Sequence, residues 1–479
     1  MSEIKTLFKN VSWVTTSQVI VNLCAFFWTI AIARYLGVND YGILSFAISF
    51  TVLLGMGTDI GMSTFSTREI SQDRSKTQKY INNVIPFKIL LSIALFIVTA
   101  LILLILGYNK LTIEVALIIS LETIFICMIK FIGGVFQAYE NQKINSIGEM
   151  IAGILLLVLT LIVIAFDLGL IGVAVSYALA YLVFLIFMIL NMNKSFGIPK
   201  FEFDLAFWKR TAIRSIPFGL SIFFYTVYFS IDVVMIQFLS GDYATGLYNS
   251  AYKIVSVFAA FYVIYQYVIF PLMSKLYAED TNLLKVSFEQ SFKYSLLILL
   301  PLSIGVYLYS DYIINLIYSS QYALASPAMQ ILIWTIVFLF INGVATSLLN
   351  SIGKEVSVTK IYVVAAVFNI VLNYFMIPIL SYNGAAITTV LSEILILILM
   401  MYSISKTEYK PDLSLLKTIV KLIVCGIILA IVLHLINVSL WLAIPIGFVV
   451  YVAFFAIRIG RDIFIKCKPI WGGSRVWCK

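Results

Sequence analysis

Seven ionisable side chains stand inside long apolar runs of this sequence: Asp59, Lys88, Glu122, Lys130, Asp232, Lys253 and Glu393. An ionised group in hydrocarbon costs at least ~2.5–3.5 kcal/mol on insertion scales, so each needs a partner, a watery cavity or a task. Lys130 is the best placed to hold an anion. It lies deep in its run, has no acidic residue three or four positions away, and its compact ammonium would meet a phosphate as a point charge. Snorkelling, or pairing with a distant glutamate, is the competing account. Lys88 is nearer the end of its run, where snorkelling is easier, and ranks below Lys130. Glu393, beside Ser392 and Thr389, could bind a proton or a sodium ion, as could Glu122 and Asp59; a protonated, hydrogen-bonded carboxyl is the plainer reading of Glu393. Glu122 is turned about 80° from Lys130 by helical geometry. The glycines around Asp59, in LGMGTDIGM, mimic a dinucleotide fingerprint, but no strand precedes them, and close helix packing accounts for them better.

Uncharged polar residues fall at helical spacing. Thr15, Gln18, Asn22 and Thr29 share one apolar run; Thr335, Asn342 and Thr346 share another; Tyr362, Asn369 and Asn373 a third. Such stripes suit sugar hydroxyls in a hydrated cavity, although helix–helix hydrogen bonding selects the same residues. Ser221, Tyr225, Tyr228 and Asp232 form a further stripe, followed by Asn249, Lys253 and Ser256 on the next run. Asp232 lies seven residues before the end of its run and Lys253 seven after the start of the next, which predicts a contact between antiparallel neighbours. That contact would be an ion pair or part of a cavity. Tyrosines crowd the same region and could stack on sugar faces, those at helix ends serving as an interfacial belt.

The elements that carry these residues are membrane-spanning helices. Of 479 residues 62% are hydrophobic and only 11% charged, with a mean hydropathy of +1.04, so the excess apolar surface must face lipid. Apolar stretches of roughly 17–25 residues predict fourteen spans, near 12–35, 42–65, 82–107, 113–138, 147–166, 170–190, 214–239, 246–273, 290–309, 327–349, 358–378, 383–404, 416–436 and 440–458. With the N-terminus inside, 27 of the 32 Lys and Arg residues fall at the cytoplasmic ends; Arg34 and Lys110 fall outside, and Lys88, Lys130 and Lys253 within spans. An error in the helix count would invert half the loops. Both termini are therefore expected in the cytoplasm of a multi-pass protein of the plasma membrane. The net charge of +9 is spread in short patches between spans and reads as topology, not nucleic-acid binding. Five scattered cysteines without CxxC spacing and a lone His434 give neither a disulfide framework nor a metal site, and no cofactor is implied.

Comparison of the two halves reveals a repeat. The segment beginning FQAYENQKINSIGEM at residue 136 aligns with LLNSIGKEVSVTKIY at 348, matching Gln142 to Lys354 and Gly172 to Gly384; RYLGVNDYGILSFA aligns with QFLSGDYATGLYNSA at an offset near 204. This predicts an all-α membrane fold: a six-helix lobe at 1–190, a cytoplasmic linker at 191–213, a second lobe of the same orientation at 214–404, a two-helix appendix at 405–460 and a tail at 461–479. Parallel repeats of this kind place a transport site between rocking lobes.

Asn10 and Trp13, the polar first span, ARYLGVNDYG, the 6+6+2 layout and the short loop holding Gln142 resemble the Wzx-type polysaccharide and oligosaccharide-lipid flippases of the multidrug/oligosaccharidyl-lipid/polysaccharide exporter superfamily. The resemblance implies translocation of a prenyl-diphosphate-linked oligosaccharide from the cytoplasmic to the outer leaflet for surface polysaccharide synthesis. It also implies proton or sodium coupling and glycan polymerase machinery as a partner, and makes Lys130 the expected diphosphate contact. An ion-coupled multidrug exporter of the sister family is the alternative. A membrane glycan polymerase or ligase is disfavoured by short outside loops and the lack of DxD, HExxH or P-loop patterns. In ARYLGVNDYG, Asn39, Asp40 and Gly42 supply turn chemistry for an outer hairpin. Arg34 is turned roughly 100–140° from the first-span stripe, which suits a headgroup anchor better than a substrate clamp.

Overall fold

The computed structural model describes residues 2–436 and 438–458, with side chains at 1–9, 11, 221, 222, 225, 448, 450 and 452–458 outside the description. Every regular element among the described residues is helical: α1 Ser2–Asp59, α2 Met62–Gln72, α3 Thr77–Ile105, α4 Lys110–Ala138, α5 Gln142–Ala165, α6 Gly169–Phe196, α7 Leu205–Glu279, α8 Thr281–Leu308, α9 Ser310–Tyr318, α10 Ser326–Ser351, α11 Glu355–Ser405, α12 Leu413–Ile436 and α13 Leu440–Arg458, with two short 3-10 turns. Ten helical stretches are long and apolar enough to cross a membrane, by length and composition. Three helices are interrupted by one non-helical residue each, α1 at Gly37, α7 at Gly241 and α11 at Ser381. Divided there, and with α13 added, the long helices become the fourteen predicted spans. The second is shorter than its expected 42–65, because Ile60 (φ 43°) and Gly61 (φ 76°) end α1 at Asp59.

The chain reverses at Gly37, as neighbouring helices demonstrate. Residues 10–35 run with α5, Asn10 donating to the Glu140 carbonyl and Tyr35 to Asp167 at 2.7 Å. Residues 51–67 run with α4, Thr51 meeting Thr123 and Thr67 lying against Gly134. Helices α4 and α5 fold back on each other at Tyr139–Asn141, where Asn145 donates to the Gly133 carbonyl, so the two halves of α1 must be antiparallel. Only glycine tolerates the φ 74°, ψ 177° of that bend cheaply. In the same way α10 runs against residues 355–380, through Thr346 and Tyr362, and with residues 382–405, through Asn342 and Glu393. The reversal falls at Ser381.

Both halves of the repeat use the same bends. Gly241 (φ 81°, ψ −174°) repeats Gly37 at the offset of 204, and Ser381 (φ 51°) repeats Gly169 (φ 64°) at the offset of 212. A serine there has a Cβ in a backbone region suited to glycine, a strain of order 1–3 kcal/mol. Ser381→Gly is therefore expected to raise the thermal unfolding midpoint of the detergent-solubilised protein; an unchanged or lower midpoint would show that Ser381 is not strained.

Two compact units are present, Met1–Gly246 and Leu247–Lys479. The first half of α7 thus groups with the first unit, and the 191–213 linker is docked onto it. Asn82 and Asn83 on α3 donate to the two carboxylate oxygens of Glu202, each at 2.8 Å, and the Trp208 indole donates to the Asn83 carbonyl while stacking on Phe87. In the second unit, α12 is tied to α8 by a Lys285–Asp412 ion pair at 2.7 Å and by the Asp412 N–H on Glu289.

The Asn82 bond foremost, then that from Asn83, holds the exposed Glu202 carboxyl below its ordinary range. A depressed folded pKa means that its contribution is complete above the unfolded value, about 4.3, and is lost as pH falls through the folded one. Protection of the 199–203 amides, that is exchange corrected for its intrinsic base catalysis, should be flat above pH 6 and fall only under acid conditions. A fall in protection on going from pH 6 to 8 would contradict the clamp.

Candidate functional site

Lys88 and Asp59, two of the seven intramembrane charges, form an ion pair. Lys88, fully buried on α3, places Nζ 2.5 Å from Asp59 Oδ1 at the end of α1 and donates also to the Cys127 carbonyl at 3.1 Å. The same aspartate oxygen accepts from the Ser63 hydroxyl. The ammonium and the Ser63 hydroxyl and N–H converge on Asp59 Oδ1, so the two charges offset each other inside the bundle. The surrounding glycines serve close packing: Gly55 abuts Thr123, and Gly61 abuts the backbone of Ser215 and Gly219.

Lys130 is arranged differently. Thr123 and Cys127, earlier on α4, turn toward Thr51 and the Gly55 carbonyl, whereas Lys130 is exposed into a cavity of about 390 Å³ between the first half of α1, α4, α5 and α6. Among the described residues no carboxylate lies within ion-pair distance of it. Gln18, from the first-span stripe, lines the same cavity, and so do Gln137, Asn145, Glu149, Trp28 and Tyr181. Glu149 accepts from Ser17 at 3.1 Å and Gln18 at 3.3 Å, both at Oε2. The Asn145 amide nitrogen donates to the Gly133 carbonyl, while its buried Oδ1 has no partner. Small residues make the room: a Cβ on Gly133 would press on the Asn145 amide, and one on Gly153 would touch Val21.

Glu149 escaped the sequence reading because it stands near the start of its span, where a charge needs no explanation. Its signal was nonetheless present, since Gln142, Asn145 and Glu149 are spaced by three and four.

The other candidates are scattered. Arg34 and Asn22 are exposed on α1, and Glu122 is buried on α4, electrostatically close to Tyr177 and Tyr181. Asp232 and Tyr228 are buried in the first unit; Lys253 is exposed on its helix in the second. The Tyr225 side chain lies outside the described residues. In the second unit buried Asn342 donates to the Glu393 carboxylate at 2.7 Å and to its carbonyl at 3.0 Å, so Glu393 has the partner its own helix does not show. Asn373 donates to Asn369 at 3.1 Å, both buried. Among the described residues no cluster of His, Cys, Asp or Glu could hold a metal.

The family model described as polysaccharide biosynthesis protein matches residues 7–277. The chain belongs to that family. A second model, MatE, matches residues 217–375 of this family member. The chain is 26% identical over 442 residues to an uncharacterized membrane protein of Methanocaldococcus jannaschii, 85% of each chain being covered. To the probable low-salt glycan biosynthesis flippase Agl15 of Haloferax volcanii it is 22% identical, over 75% of each. Its fold matches the lipid II flippase MurJ in an inward closed conformation with a TM-score of 0.79, at 17% identity, covering 94% of this chain and 99% of the other. The polysaccharide biosynthesis family, an all-α multi-pass fold and two repeated lobes are the features the sequence predicts.

Proposed function

We propose that this chain is a flippase: it moves a prenyl-(di)phosphate-linked oligosaccharide from the cytoplasmic to the outer leaflet of the plasma membrane, by alternating access between its lobes. The observation that carries the substrate part of this reading is the cavity around Lys130, which lies within the first lobe. Lys130 shares its cavity with the Glu149 carboxylate but forms no ion pair with it among the described residues, and a diphosphate headgroup is the kind of anion such an ammonium can meet. The positive-inside count places Lys130, eight residues before the end of α4, in the cytoplasmic half, where substrate is loaded. Membership of a polysaccharide biosynthesis family and the name of the Haloferax relative support the same reading.

Coupling to a proton through Glu393, already hydrogen-bonded by Asn342, fits better than coupling through Asp59, which is committed to Lys88. The alternative, an ion-coupled multidrug exporter, draws on the MatE match. Glycan polymerase machinery would act on the flipped product. Lys130→Ala is expected to abolish surface polysaccharide export while the protein accumulates normally, measured by surface glycan staining beside immunoblotting. Normal export would remove Lys130 from the site, and raised drug sensitivity with intact glycan would favour the exporter.

A further inference from the structure

We infer that the cavity is a sugar-phosphate subsite that reads the first sugar as well as the phosphate, and that it excludes acidic sugars at that position. This rests on the flippase reading and deepens it. A phosphate at neutral pH brings acceptors only, and Lys130 can answer those. Glu149 makes the opposite demand: it uses Oε2 for its bonds to Ser17 and Gln18, leaving Oε1 as an acceptor on the cavity wall. An acceptor shut away from water without a donor is costly. The ligand that meets both Lys130 and Glu149 must therefore carry an anion and hydroxyl or amino donors on one rigid frame.

A sugar phosphate has that composition. Trp28 and Tyr181 on the cavity wall offer aromatic faces for the apolar side of a pyranose ring, and Gln137 offers an amide that can both donate and accept. The Glu149 charge sets the selection. The Gln18 amide donates to Glu149 Oε2, and the buried Ser17 hydroxyl shares its one proton between that oxygen and the Val14 carbonyl, so a uronic acid in the same position would set two carboxylates against each other. Neutral and amino sugars would not.

Binding to the purified full-length chain, by isothermal titration calorimetry, tests this with three probes: inorganic pyrophosphate, a hexopyranosyl 1-diphosphate and its uronate analogue. The hexosyl probe is expected to bind at least about tenfold more tightly than either of the others. Lys130→Gln should weaken all three, and Glu149→Gln should bring the uronate to within about threefold of the hexosyl probe. Equal binding of pyrophosphate and the hexosyl probe, with Lys130 dependence retained, overturns the sugar subsite and leaves the flippase reading standing. Equal binding of the uronate by the wild-type protein overturns the charge selection without recourse to any variant. Binding of all three probes unaffected by Lys130→Gln overturns the placement of the phosphate itself.

Discussion

Lys88→Met is expected to lower the stability of the folded protein by about 3–5 kcal/mol, and the double variant Lys88→Met, Asp59→Asn to recover most of that loss. The reason lies in what the single change leaves behind. Asp59 sits 16% exposed with an oxygen on Lys88 Nζ, and its remaining donor is the hydroxyl and N–H of Ser63. Removing the ammonium strands a carboxylate that lipid and packed helices cannot solvate. Removing both charges eliminates the debt, because a buried pair is often no more stabilising than neutral groups of similar volume. Thermal unfolding followed by fluorescence-detected size exclusion separates the three proteins. Equal midpoints for wild type and Lys88→Met would mean that the pair is dispensable, and failure of the double variant to recover would assign the loss to packing.

The second large effect is expected at a pair of glycines related by the repeat. Within the first unit, a Cβ on Gly42 would strike the carbonyl of Asp242, and a Cβ on Gly246 would strike the carbonyl of Val38. These are equivalent contacts, since 42 and 246, like 38 and 242, differ by 204. The two bends cross so closely that backbone meets backbone, and a backbone carbonyl cannot rotate away as a side chain does. Gly42→Ala and Gly246→Ala should each be destabilising by about 1–3 kcal/mol, even though alanine in a helix otherwise gains about 1 kcal/mol over glycine. Larger residues should reduce accumulation in the membrane altogether. A rise in unfolding midpoint for either alanine variant would show that the crossing can open to admit a methyl group.

This crossing also shows what the sequence made legible. The alignment of RYLGVNDYGILSFA with QFLSGDYATGLYNSA, at an offset of 204, sets Gly37 against Gly241 and Gly42 against Gly246, because glycine suits a reversal at positive φ and a backbone contact that leaves no room for a Cβ. Hydropathy and charge likewise carried the fourteen spans, since the bilayer constrains their length and the loops record their orientation. Pairing was not legible in the same way. Helical phase tells which face Asp59 or Lys88 occupies, but not which helix that face will meet. Their 29-residue separation left Asp59 looking like a free ion-binding carboxylate and Lys88 like a snorkelling cation. For Glu393 the partner came from Asn342, 51 positions away. The cavity was half legible: Lys130 and Gln18 were named as ligand-binding candidates, while Glu149 was hidden by its position near a helix start.

The most direct test of the account is translocation in proteoliposomes containing the purified chain and a polyprenyl-diphosphate-linked oligosaccharide, with leaflet position read by a membrane-impermeant lectin or glycosidase. Wild-type protein is expected to move the glycan across the bilayer, and Lys130→Ala, inserted to the same level, is expected not to. Equal movement by the two proteins, or no movement by wild-type protein under an imposed proton or sodium gradient, would contradict it.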